Sequence, residues 1–100
     1  MKRVIDMPQK SDMGSGWGHY DGAAGLTLKE VLDYLDKNLK SWGTLTIYRG
    51  SNDIIRRFDF DRYGGNNFYH HLNGWQYKCI VREVKFDYCF MGENIDIYVS

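Results

Sequence analysis

The chain has little of what usually announces a chemistry. Proline occurs once, at Pro8, and cysteine twice, at Cys79 and Cys89. That pair is too sparse for a disulfide framework and has no C-x-x-C spacing for zinc or redox work. Both cysteines lie in apolar, strand-like runs and read as small buried hydrophobes of a reducing compartment. Net charge is also missing, with 13 Lys and Arg against 13 Asp and Glu. The balance is local as well as global. The stretch 44–75 carries Arg49, Arg56, Arg57 and Arg62 against Asp53, Asp59 and Asp61, and the stretch 76–100 has a small acidic excess. With no basic arm and no acidic tail, duplex DNA or an anionic membrane held by charge alone is disfavoured. No apolar run reaches transmembrane length, and Lys2-Arg3 leads into Asp6 and Pro8 instead of an apolar signal region. The expectation is a cytoplasmic protein.

What is present is a normal apolar share, 43% of 100 residues, and many rings: eight Tyr, five Phe and three Trp. A chain of this length forms one domain and buries roughly 60–68% of its unfolded surface, enough to fold without staples. Rings suit half-buried sheet faces and also concentrate at binding surfaces, so composition alone does not separate the two uses.

The glycines punctuate residues 1–25, where Gly14, Gly16, Gly18, Gly22 and Gly25 join Pro8. This stretch reads as an irregular N-terminal arm, with Val4 and Ile5 able to form a short edge strand. Residues 26–100 then read as a single α+β domain. Thr27-Leu28-Lys29-Glu30 has the spacing of a capping box, with Leu26 and Val31 placed as its hydrophobic staple. Leu28, Val31, Leu32, Leu35 and Leu39 follow on one helical face, predicting an amphipathic helix over 28–41 with Gly43 closing it.

Beyond Gly43 the apolar period becomes two. Runs 44–49 and 54–61 predict one hairpin. Runs 68–72 and 75–80, flanking Asn73-Gly74, predict a second with a type I′ turn. The apolar phase then slips between Val81 and Val84, which a bulge near Arg82-Glu83 would repair. Gly92-Glu93-Asn94 reads as a turn into a last strand carrying Ile95, Ile97 and Val99. The expected fold is one helix packed on an antiparallel sheet of about five strands.

Candidate chemistries are thin. His70 and His71 are strand neighbours that point to opposite faces, and with His19 they match no metal spacing. Asp59 and Asp61 share a strand face at about 6.5–7 Å, a separation open to acid–base work or Mg²⁺. With Arg57 and Arg62 beside them, they read as a solvated outer face. Gly14-Ser15-Gly16-Trp17-Gly18 is followed by His19 where a dinucleotide loop needs glycine. No catalytic residue, metal ligand or cofactor site is assigned.

The expectation for function is therefore a non-catalytic protein-binding module. A small standalone inhibitor or adaptor, such as a phage or mobile element encodes to occlude a host enzyme, would have this composition. Binding hot spots concentrate in Trp, Tyr and Arg, and those types fall in loops and turns at Trp17, Tyr20, Trp42, Arg62, Tyr63, Tyr69 and Trp75. The alternative is single-strand nucleic-acid binding by Tyr48, Arg49, Arg56, Arg57, Phe58, Arg62 and Tyr63, which interleave rings with cations. A third reading is a small-ligand pocket lined by Trp75 and tyrosines.

Overall fold

The computed structural model describes residues 16–39, 41–50, 52–61, 66 and 68–100, apart from the side chains of Tyr69 and His71. Val4, Ile5, Arg62 and Tyr63 lie outside these residues. The elements are β1 (Gly16–His19), α1 (Leu28–Asn38), β2 (Gly43–Arg49), β3 (Asp53–Phe60), a 3₁₀ turn (Phe68–His71), α2 (Gly74–Tyr77), β4 (Val81–Cys89) and β5 (Gly92–Val99).

Helix α1 starts where its cap dictates. The Thr27 hydroxyl accepts from the Glu30 N–H at 3.2 Å, and the Glu30 carboxylate accepts from the Thr27 N–H at 3.1 Å. Leu28, Val31, Leu32 and Leu35 are buried on one face, and Lys29 pairs with Asp33 at 2.7 Å on the other. The helix stops at Asn38, short of the expected 41, because Leu39 leaves helical geometry with ψ 130°. In doing so it turns its side chain into the core.

The five strands form one sheet in the order β1-β4-β5-β2-β3. Three pairings are antiparallel, but β2 and β5 run parallel. The expected all-antiparallel sheet is therefore corrected to a mixed one. After the β4–β5 hairpin, β5 enters between β4 and β2, and its direction is fixed by β4 alone. Its inward residues Ile95, Ile97 and Val99 then stand beside Leu45, Ile47 and Arg49. A period-two pattern states which face is buried and is silent on strand direction.

Gly43 belongs to this pairing and does not close the helix. A Cβ there would overlap the Glu93 carbonyl, so the two backbones meet only because position 43 lacks a side chain. The expected bulge is present, as a register shift between Val81 and Glu83.

The second predicted hairpin does not form. Asn73 caps α2, with its N–H donating to the Gln76 side chain at 2.7 Å. Asn-x-x-Gln thus works as a helix start where Asn-Gly suggested a turn. Phe68, from the 3₁₀ turn, is buried against Phe58 and Phe60 at ring separations of 5.6 and 6.4 Å.

Of the glycine-rich stretch, Gly16–His19 join the sheet and residues 20–25 follow along its edge. Strand β1 pairs with the edge of β4, and Tyr20 and Ala23 are buried. Backbone bonds from Tyr20 to Val84, Gly25 to Val81 and Val81 to Leu26 continue the attachment along β4. One cluster gathers these side chains with the apolar face of α1 and the inward residues of β2 to β5. The cysteines are free thiols, Cys79 half-buried and Cys89 exposed. This corrects the buried reading. Cys89 stands in the odd phase of β4 with Lys85 and Asp87, away from the helix-covered face.

Candidate functional site

Large apolar side chains remain exposed at both ends of the sheet. At the end where β2 and β5 begin, Phe90 and Met91 form the two-residue connection between Cys89 and Gly92. Phe90 is 86% exposed, and Met91 and Trp42 are exposed as well. Trp42 and Met91 line one open depression with Cys89, Gly92 and Asn94. Gly92 has φ +131°, and a Cβ on it would touch the Trp42 ring, so the indole lies against the strand at that point.

Glu93 is the buried counterpart of this rim, 1% exposed. Its carboxylate accepts from the Ser41 hydroxyl at 2.6 Å and the Tyr20 hydroxyl at 3.0 Å. A buried anion is tolerated when donors surround it. Burial first, then the charge and hydrogen bond of Glu93, push the Tyr20 phenol well above its ordinary pKa. Tyr20 therefore stays a neutral donor.

The sheet face away from α1 is a polar mosaic. Tyr48 and Tyr98 stack at 4.9 Å, and the Lys85 ammonium lies 5.3 Å from the Tyr98 ring centre. Arg57 donates to Thr46 at 3.3 Å, Thr44 donates to Asp59 at 3.4 Å, and His19 meets Glu83 at 2.9 Å. Asp96 is held above its ordinary pKa, by burial first and by neighbouring Asp87 second, against the opposing pull of Lys85 and Arg57. Trp17, 80% exposed, stands over a depression that also touches Lys85, Asp87 and Asp96.

At the opposite end of the sheet, the Arg49 guanidinium lies 5.4 Å from the Trp75 ring centre, and Trp75 is half exposed. Arg82 reaches across the end of β5 and donates to the Gly50 carbonyl at 2.7 Å. Ile54 and Ile80 are exposed as well.

The structure thus distributes the residues singled out in the sequence over separate surfaces. Trp17, Trp42 and Trp75 are exposed, at the β1 edge and at the two ends. Tyr20 is 3% exposed and packs in the core. Tyr69 lies in the 3₁₀ turn, its side chain outside the described residues. Of the described residues proposed for nucleic-acid contact, Arg57 pairs opposite Thr46 on the polar face, while Arg56 pairs opposite buried Ile47 on the other. Nor do Trp75 and the Tyr48–Tyr98 pair share a pocket, since Arg49, which covers Trp75, points to the other side of β2 from Tyr48. Among the described residues no three His, Cys, Asp or Glu side chains converge as a metal site.

Sequence reasoning missed Phe90 and Met91, because it extended the even apolar phase of β4 through Phe90 and set the turn at Gly92-Glu93-Asn94. A tight connection ending at Gly92 would have exposed both. No helix is long and apolar enough to cross a membrane among the described residues. No family model matches the chain, and no curated protein and no solved structure matches it.

Proposed function

We propose that this chain is a non-catalytic protein-binding module, of the size of a small inhibitor or adaptor. The observation that carries the reading is the exposure of Trp42 and Met91 on one depression at the end of the sheet, with exposed Phe90 next to Met91 in the same turn. An exposed cluster of Trp, Phe and Met on a small domain costs solubility, and contact with a partner recovers that cost by removing the rings from water. Interfaces are enriched in these residue types. The neutral charge balance favours a protein over a polyanion, and the placement of Arg56 and Arg57 on opposite faces weighs in the same direction.

The test is site-specific photocrosslinking with a photoreactive phenylalanine analogue at position 90, and at exposed position 57 on the polar face of β3 as control. The reading expects a protein adduct at position 90 that persists after nuclease treatment and is lost in a Trp42→Ala, Met91→Ser background. Adducts at both positions alike, adducts sensitive to nuclease, or none at all would overturn it.

A further inference from the structure

The other end of the sheet carries a different chemistry. Two guanidinium groups gather there, Arg49 against the Trp75 ring and Arg82 against the Gly50 carbonyl. Both residues are exposed, and neither makes an ion pair with a described residue. Asp53, opposite Arg49 in the β2–β3 register, is exposed and makes none either. Glu83, next to Arg82, is already engaged by His19 and Lys85. Exposed Lys78 and Ile80 follow α2 at the same margin.

This arrangement is more ordered than free surface arginines need be. An exposed arginine has much rotamer freedom to lose on being fixed. Here stacking on an indole and a bond to a backbone carbonyl restrict the two side chains before any partner arrives. Their forks present several donors each, matched to carboxylates, and Trp75 offers apolar area beside them.

We propose that the Arg49–Trp75–Arg82 end docks an acidic segment of a protein partner, with two carboxylates on the guanidinium groups and an apolar side chain on Trp75. This deepens the protein-binding reading above and rests on it. The site stands about 20 Å from Trp42 and Phe90, the length of a seven-residue strand, so it is a second contact point and not an extension of the first. A lone exposed ring gives no track for successive bases, which favours a peptide over a single-stranded nucleic acid.

The experiment is selection from a display library of random twelve-residue peptides against the full chain, followed by titration of the selected peptides. Expected are peptides with two or more Asp or Glu flanking an apolar residue. Their affinity should fall about ten-fold or more in Arg49→Gln/Arg82→Gln and in Trp75→Ala, and should weaken with added salt. Arg57→Gln, on the polar face, should leave it unchanged. If the glutamine pair fails to fold, Arg49→Lys/Arg82→Lys keeps the charge, loses the fork and should still bind more weakly. Selected peptides that lack acidic residues, or that bind the variants as well as the parent, overturn the proposal. Peptides lost instead in Trp42→Ala/Met91→Ser would sink this site and leave the protein-binding reading standing. An empty selection sinks this site, and with no adduct at position 90 it sinks both. Tighter binding of a single-stranded oligonucleotide, abolished by the glutamine pair, would reassign the site to nucleic acid.

Discussion

Glu93 is a carboxylate set among apolar side chains, and the two hydroxyls that reach it come from either side of α1 in sequence. Tyr20 precedes the helix and Ser41 follows it, so one buried anion ties both flanks to β5. Removing a donor from a buried acceptor costs the desolvation that the donor had offset. Tyr20→Phe keeps the ring and its edge contact with Phe86 at 5.3 Å, and isolates the hydroxyl. Chemical denaturation should show a loss of about 1–3 kcal/mol. A loss within error would mean that Glu93 is satisfied without Tyr20. Asp96 gives a prediction of opposite sign. Its folded pKa is raised above the ordinary 3.8, so the native state holds the proton more tightly than the unfolded chain. The stability this gives is present below the ordinary value and is lost as pH rises through the raised one. Asp96→Asn should therefore raise the thermal midpoint relative to the parent at neutral pH, and the gap should close toward pH 3. A gap that stays constant with pH would contradict the assignment.

At the scale of elements, what could be read in advance is what local rules decide. The capping box and the leucine face of α1 depend on residues three and four apart, and Thr27, Glu30 and Leu28 to Leu35 behave accordingly. Thr27→Ala should cost about 0.5–2 kcal/mol through the lost cap bond, read by the denaturation midpoint. The β2–β3 hairpin and the bulge at Arg82 follow from alternation in the same way. Cys89 was legible too, since its phase sets it with Lys85 and Asp87, but apolar neighbours on either side masked this. Other features depend on long-range partners. The parallel β2–β5 pair is invisible to periodicity, and Gly43 looked like a helix stop because its real neighbour, Glu93, is far away in sequence. Asn73-Gly74 carries two valid local signals, a hairpin turn and a helix cap. Phe68 and Leu72, buried, accompany the cap. Among the contact candidates, exposure of the three tryptophans could not be separated from core use without the fold, and the Arg49–Trp75 and Arg82–Gly50 contacts join residues distant in sequence.

At the scale of the whole molecule, residues 16–25 separate stability from recognition. They hold an exposed ring, Trp17, on a strand whose continuation buries Tyr20 and Ala23. Deleting 1–25 would uncover the edge of β4, remove the bonds to Val84 and Val81, and take one donor from Glu93. Loss of a buried aromatic alone costs roughly 3–5 kcal/mol, and for a domain of this size each kcal/mol moves the midpoint by about 4–8 °C. The truncated chain should melt more than about ten degrees lower, or not fold. Trp17→Ser removes only exposed area and should change stability by no more than about 0.5 kcal/mol. The pair of variants assigns the segment. A truncated chain that melts like the parent would show that β1 is an ornament on a four-stranded core. A tryptophan variant that melts like the parent but loses the adduct at position 90 would make the β1 edge part of the same contact as Trp42, Phe90 and Met91. Trp17 pairs opposite Asp87 in the register, and Asp87 lies two residues before Cys89, whose hairpin carries Phe90 and Met91. The sheet therefore places the indole within a strand's reach of that rim, and one partner surface of ordinary size would span both.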